Sequence, residues 1–171
     1  MMKRIAVLLL FLVPMILSAQ TVKPSQPIRF QIKNAGLTVD GTLSEWEIEM
    51  DFDAKRLDKS SIKGSANPGS IDTGIKLRDK HLQGRQYFYT EKFPLLSLQS
   101  QSLSSKGKGA FVGVFDLRIR DVVKQVEIPF TVSESGKQKR FKGSFTIDRL
   151  EYGIGEKSLV LADEVLITIE F

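Results

Sequence analysis

The residues best equipped for chemistry surround the single histidine of the chain, His81, in the stretch RDKHLQGRQYF at residues 78–88. An imidazole can act as a general base or bind a metal ion. A Ser-His-Asp triad would have to use His81, and no G-x-S-x-G stretch accompanies it. Zinc bound by several His and Cys side chains is equally unsupported, because the chain has one histidine and no cysteine. These observations favour a structural role for His81 and predict no catalytic residue.

Four aspartates, Asp51, Asp53, Asp58 and Asp72, are the alternative source of a site, because clustered carboxylates bind hard cations. Their spacing lacks the pattern and the glycine of a calcium-binding loop. Carboxylates at such positions ordinarily occupy a solvated strand face or cap a loop. The sequence therefore predicts neither a metal site nor a bound cofactor.

The first residues, MMKRIAVLLLFLVPMILSAQ, have the composition of a signal peptide. Lys3 and Arg4 form a positively charged start, an apolar run follows, and Ser18 and Ala19 offer small residues for cleavage. The apolar run is shorter than the roughly 20 residues of a membrane-spanning helix, so a retained anchor is the weaker alternative. We predict cleavage of residues 1–19, export to the periplasm or beyond it, and no membrane span in the mature chain.

The charge balance also limits the choice of partners. Removal of residues 1–19 takes away two basic groups and no acidic ones, so the formal net charge falls from +5 to +3. The remaining Lys and Arg are interspersed with Asp and Glu rather than gathered into the basic patch that nucleic-acid binding requires. We expect no nucleic-acid partner.

After a short polar leader at residues 20–27, apolar residues recur with a period of two, the spacing of a half-buried strand. In EIEMDFD, Ile48, Met50 and Phe52 fall on one face and acidic residues fall on the other. The alternation recurs in KQVEIPFTVS, RFKGSFTID and EVLITIEF, and glycine-containing turns such as SSKGKG separate the segments. The pattern is typical of antiparallel strands joined by tight turns.

This pattern predicts a single all-β domain over residues 28–171, an extended antiparallel barrel of about eight strands. We expect a short helical or irregular connection around residues 78–90. A barrel of this size encloses a space that side chains fill or that one elongated ligand occupies. The strand pattern leaves both alternatives open.

Read in order, four stretches resemble the YceI-like family of bacterial exported proteins, from Phe30 to Phe171. They are FQIKNAGLTVDGTLSEWEIEMDFD, SIDTGIKLRDKHLQGRQYFYTEKFPLLSLQS, LRIRDVVKQVEIPF and FTIDRLEYGIG. The resemblance implies a lipocalin-like barrel, typically periplasmic, whose elongated apolar cavity binds polyisoprenoid or similar long-chain amphiphiles. It also implies that RDKHLQGRQYF is a structural connection near the barrel mouth. Asn34 stands where many relatives carry histidine, and Ile48 stands where they carry glycine.

Strand alternation then yields a hypothesis for the residues that line such a cavity, and the segments near its mouth yield candidates for the rim. Predicted lining residues are Ile32, Val39, Met50, Phe52, Phe111, Phe115, Phe130, Phe145 and Ile167. Predicted head-group or rim residues are Asn34, Trp46, Arg78, His81 and Arg85. For the three cationic side chains, loop-stabilising ion pairs are the stronger alternative to contact with a phosphate or quinone head group.

The expected function is that of an exported binding protein, not an enzyme, which sequesters or carries a polyisoprenoid or a similar lipid. The main alternative is a structural or stress-related interaction protein whose barrel is filled. A lipid-modifying enzyme is the weakest of the three. The sequence leaves the oligomeric state open, with a homodimer among the alternatives.

Overall fold

A computed structural model describes residues 20–135 and 138–171, and the predicted signal peptide at residues 1–19 lies outside this part of the chain. The described part contains one short α-helix, and its remaining regular structure is almost entirely antiparallel strand. No helix in these two ranges is long and apolar enough to cross a membrane. The strands are β1 Gln20–Val22, β2 Ile28–Asn34, β3 Leu37–Leu43, β4 Trp46–Asp51, β5 Ser61–Ala66, β6 Ile71–Asp72, β7 Leu96–Gly107, β8 Ala110–Ile119, β9 Val122–Ser135, β10 Gln138–Asp148 and β11 Leu161–Glu170.

All of these strands belong to one sheet, in the order β1-β4-β5-β7-β8-β9-β10-β11-β2-β3-β6. Every pairing is antiparallel. Because only residues 44–45 separate β3 from β4, the two ends of this order are held close together and the sheet curls on itself. The expected all-β, lipocalin-like architecture is confirmed, with more strands than expected because very short strands, β1 and β6, add to its two ends.

The segment predicted to be a leader contains β1, whose residues pair with β4. Val22 lies opposite Ile48, and Gln20 lies opposite Met50. The chain therefore contributes a strand to the sheet before residue 28, where the alternating pattern begins. Three residues are too few for a period of two to be recognised in the sequence.

One two-residue turn, in which both residues have left-handed backbone conformations, determines the register of the β2–β3 hairpin. Ala35 and Gly36 have φ values of 50° and 80°, as the tight turn that best suits the twist of a hairpin requires. Asn34 and Leu37 consequently lie directly opposite each other and point to the same face of the sheet.

The expected connection is present as helix α1, Lys76–Leu82, followed by a series of tight turns. Asp79 holds the start of the helix, because its Oδ1 accepts a hydrogen bond of 2.9 Å from the backbone N–H of Thr73. The turns after the helix fold back on it: the N–H of Phe88 donates to the carbonyl of Leu82 at 2.9 Å. This segment lies over one end of the barrel.

Candidate functional site

A cavity of about 500 Å³ occupies the end of the barrel that lies beneath α1 and the turns after it. This volume is within the roughly 300–1,000 Å³ of ligand pockets in general. Its wall is almost entirely apolar, formed by alternate residues of the strands and by inward-facing side chains of the connection. The apolar wall consists of Ile28, Phe30, Ile32, Val39, Leu43, Trp46, Ile48, Ala66, Ile71, Ile75, Leu77, Leu82, Tyr87, Phe88, Leu96, Leu98, Leu117, Ile119, Phe145, Ile147, Ile154, Leu161, Val165, Ile167 and Ile169.

The opposite end of the barrel is filled by a group of phenylalanines that we call the aromatic plug: Phe52, Phe111, Phe130, Phe141 and Phe171. The ring of Phe52 makes edge-to-face contacts with those of Phe111, Phe130 and Phe141, at centroid distances of 5.2, 6.0 and 5.5 Å. Phe171 stacks on Phe141 at 5.1 Å. Such aromatic pairs add to the stabilisation that burial of apolar surface provides. The plug closes the barrel at this end.

Four of the nine residues predicted to line a cavity do so: Ile32, Val39, Phe145 and Ile167. The other five require a correction, because they lie away from the cavity. Phe52, Phe111 and Phe130 belong to the plug, Phe115 is buried with its ring against Gly113, and Met50 packs against the same core. Strand alternation identified the inner face for all nine residues, but it carries no information on depth along the barrel.

The predicted rim residues divide in a similar way. Asn34, Arg78 and His81 lie at the cavity. Trp46 also lines it, and its ring packs edge-on against Phe171 at 5.8 Å, so that it joins the cavity wall to the plug. Arg85 does not reach the cavity; its guanidinium lies over the ring of Tyr89, 5.3 Å from the centroid.

The opening of the cavity is marked by residues that both line it and face solvent. Ile75 is 53% exposed, Leu77 is 66% exposed, and His81 is also exposed. Leu37 is 73% exposed and lies opposite Asn34, which lines the cavity. An exposed apolar side chain is common on protein surfaces, but a group of them around the entrance of an apolar cavity is not.

Arg78 is the cationic side chain that is fixed at this opening. Its Nη2 donates to the carbonyl oxygen of Thr73 at 2.6 Å, and its Nε donates to the hydroxyl of Thr73 at 2.7 Å. Within the part of the chain that the structure describes, no carboxylate forms an ion pair with Arg78. The hydroxyl and carbonyl oxygens of Thr73 therefore hold the guanidinium in place at the cavity opening.

The most deeply buried charged residue at the cavity, Arg149, was not among the predicted site residues. Its Nε donates to the carbonyl of Ala162 at 2.9 Å and its Nη1 to that of Ile154 at 2.8 Å. Its Nη2 donates to the carbonyl of Glu156 at 2.9 Å and lies 3.0 Å from a carboxylate oxygen of Asp163. Arg149 thus holds the loop between β10 and β11 against the barrel. The signal in the sequence was the R-x-x-Y-G-I-G stretch that begins at this residue.

Tyr152, in the same loop, is almost completely buried. Burial raises its pKa to about 12, and the negative charge of Glu151 adds to the shift. Within the described residues its hydroxyl has no hydrogen-bond partner. The phenol thus contributes mainly apolar packing.

The four aspartates considered as a cation site do not line the cavity, and two of them, Asp53 and Asp72, stabilise loops. Asp53 accepts hydrogen bonds of 2.9 Å from Arg56 Nε and from the N–H of Lys55, and these bonds lower the pKa of its carboxyl. Asp72 accepts from the N–H of Gly74 at 2.7 Å. Over residues 20–135 and 138–171, no group of three or more His, Asp or Glu side chains is arranged to hold a metal ion.

An antiparallel barrel that encloses an apolar cavity is typical of the lipocalin-like class of folds. Comparison with known proteins specifies the family. The model of the YceI-like domain matches residues 20–171, and the chain belongs to this family. The resemblance noted in the sequence is thereby confirmed.

Relatives and solved structures agree with this assignment. A UPF0312 protein of Shewanella denitrificans is 31% identical over 134 residues, which are 74% of this chain and 70% of that protein. The structure of Burkholderia cenocepacia BcnA matches with a TM-score of 0.81 at 21% identity, covering 84% of this chain and 93% of that one. A polyisoprenoid binding domain from Saccharophagus degradans matches with a TM-score of 0.65 at 11% identity, covering 84% and 90%.

Proposed function

We propose that this protein is an exported carrier that holds the hydrocarbon tail of a polyisoprenoid, or of a similar long-chain amphiphile, in its apolar cavity. The observation that carries the proposal is the cavity of about 500 Å³, walled by apolar side chains and open beside α1. A solved relative of the same fold is described as a polyisoprenoid binding domain, which supports this class of ligand.

The physical basis is the hydrophobic effect alone. Each square ångström of hydrocarbon removed from water contributes about 25 cal/mol to the free energy of binding. A tail that buries a few hundred square ångströms therefore gains several kcal/mol, from which the entropy lost on ordering the tail must be subtracted. Such binding needs no acid, base or metal. The aromatic plug limits how deep the tail reaches, and Arg78 lies where a polar head group would meet the opening.

Export is part of the proposal. A carrier is needed where a long hydrocarbon must cross water, and the basic start, apolar run and small residues of the first nineteen positions are typical of a signal peptide. We place the mature protein in the periplasm or outside the cell. Edman sequencing or mass spectrometry of the N-terminus, on protein purified from its own host, tests this placement: an N-terminus near Gln20 supports it, and retention of Met1 contradicts it.

The central experiment is native mass spectrometry with lipid extraction, on material purified from the host. A co-purifying isoprenoid or other long-chain lipid in stoichiometric amount is expected. Persistent absence of lipid, together with no binding of supplied polyprenyl lipids, would favour the interaction protein. Turnover of a supplied lipid that is lost in His81→Ala would favour an enzyme instead. The same spectra report whether the protein is a monomer or a homodimer.

A variant that fills the cavity tests the proposed site, and a second variant with the same substitution at the surface is its matched control. Ala66 is buried in the cavity wall, so Ala66→Phe places a ring in the space that the tail would occupy. We expect it to abolish lipid retention while the barrel still folds. Ala54→Phe adds the same ring at an exposed position in a loop and should retain lipid. Equal lipid content in the two variants would contradict the proposed site.

A further inference from the structure

Five exposed apolar residues surround the cavity opening, and we refer to them as the mouth patch: Leu37, Ile75, Leu77, Leu159 and Val160. Ile75 and Leu77 line the cavity and face solvent at the same time. Leu37 and Val160 flank the turn of the β2–β3 hairpin, where the N–H of Ala35 donates to the carbonyl of Val160 at 2.7 Å. The apolar surface of the cavity thus continues onto the outside of the molecule.

Cationic side chains accompany the part of this patch that lies on and beside α1, at Ile75 and Leu77. Over residues 73–92 the chain carries five basic residues and two acidic ones, a difference of three positive charges. Lys76 and Lys80 are exposed one helical turn apart on α1, beside Leu77. Asp79, one of the two acidic residues, accepts a hydrogen bond from the backbone N–H of Thr73.

Exposed apolar side chains interspersed with lysine and arginine form the surface that the interface of an anionic bilayer attracts. The apolar groups enter the boundary of the acyl chains, and the cations meet the head-group phosphates. A bilayer is favoured over a protein partner because an excess of positive charge over residues 73–92 accompanies an apolar surface that is continuous with the cavity. The continuity with the cavity also gives a lipid tail a path that avoids water.

We infer that the mouth patch docks on an anionic lipid bilayer, with the cavity opening turned toward the membrane. This inference rests on the proposed function for its purpose, since a docked carrier exchanges its ligand with the bilayer directly. Docking itself requires only the surface and not an occupied cavity. The two proposals therefore fail separately.

The test is flotation of the lipid-free protein with vesicles, at low and high salt. Vesicles of equimolar phosphatidylglycerol and phosphatidylcholine should carry the protein upward, and vesicles of phosphatidylcholine alone should carry much less. Leu77→Ser should weaken partitioning by about fivefold or more, because a leucine no longer enters the interface. Leu166→Ser is the control, since Leu166 is an exposed leucine on β11 that does not line the cavity.

A second pair of variants isolates the charge. Lys76→Glu with Lys80→Glu should reduce binding to the anionic vesicles by about twentyfold or more at low salt, at roughly fivefold for each lysine. Lys106→Glu with Lys108→Glu makes the same change in net charge in the β7–β8 hairpin, at the other end of the barrel, and should have a smaller effect. Equal losses from the two pairs would mean that only net charge matters, and would overturn the assignment of the surface.

Affinity for a fluorescent polyprenyl lipid, measured without vesicles, separates this inference from the proposed function. Lipid binding without vesicle binding would overturn docking and leave the carrier intact. Vesicle binding without uptake of the fluorescent lipid would support docking and overturn the proposed carrier function. A dimer in analytical ultracentrifugation that Leu77→Ser dissociates, with no vesicle binding, would assign the patch to a second copy of the chain and overturn the inference.

Discussion

At the scale of the residue, Arg149 shows how a buried charge can serve structure next to an apolar cavity. Its side chain is only 4% exposed, and it binds three backbone carbonyls and the carboxylate of Asp163. A buried cation is tolerated when its donors are satisfied in this way. Removal of the guanidinium would leave its acceptors buried without partners.

We expect Arg149→Ala to lower the free energy of unfolding by about 3–5 kcal/mol, the cost of breaking a buried hydrogen-bonded ion pair. Urea denaturation followed by tryptophan fluorescence measures this value. Arg118→Ala removes the same side chain from an exposed position on β8 and should cost less than about 1 kcal/mol. Similar losses in the two variants would contradict the role given to Arg149.

Tyr152 yields a prediction for the dependence of stability on pH. Its pKa is about 12 in the folded protein, against about 10 in the unfolded chain, so the folded state holds the proton more tightly. Its contribution to stability is complete below pH 10 and is lost as the pH rises toward 12. Tyr152→Phe should show a smaller loss of unfolding free energy over this interval, measured by urea denaturation at several pH values. An unchanged pH profile in the variant would refute the assignment.

At the scale of the element, a backbone hydrogen bond attaches the segment that covers the cavity to the β10–β11 loop. The N–H of Gly155 donates to the carbonyl of Gln86 at 2.6 Å. Gly155 has φ of 69°, and a Cβ there would lie 2.9 Å from Cε1 of Tyr87. Only glycine suits both requirements.

Gly155→Ala should therefore destabilise the protein by about 1–3 kcal/mol and loosen the cover of the cavity. Hydrogen exchange should accelerate at the amides of residues 84–90, and urea denaturation should give the loss of stability. Gly64→Ala is the matched control, because a Cβ at Gly64 meets nothing closer than 3.8 Å and its φ is not in the left-handed region. A Gly155→Ala protein with unchanged exchange would contradict this account.

At the scale of the whole molecule, the division of the barrel into a cavity and a plug determines how long a ligand the protein accepts. Trp46 and Phe171 lie where the two halves meet. Phe171→Ala should extend the cavity into the plug, at a cost of about 2–4 kcal/mol in stability. In competition experiments with polyprenyl lipids of graded length, we expect the preference to move to longer chains. Phe93→Ala, outside both the plug and the cavity wall, should leave it unchanged.

Much of the fold was predictable because it follows from local pattern. The period of two in EIEMDFD and EVLITIEF predicts which side chains point inward. Ile48 in the first stretch and Ile169 in the second both line the cavity in the structure. The helical connection was also predictable, although its inward-facing residues Leu82, Tyr87 and Phe88 were not. A turn-rich segment has no periodicity to identify which of its side chains are buried.

What the sequence determined by itself was the class of fold, the family and the inward face of the strands whose apolar residues alternate, since alternation and ordered motifs are properties of the chain read in one direction. Only the tertiary structure decided depth. Ile119 and Phe111 share a face of β8, yet one lines the cavity and the other belongs to the plug. The physical reason is that cavity and plug arise where residues from different strands reach the same level, and that level depends on the register and tilt with which the strands pair.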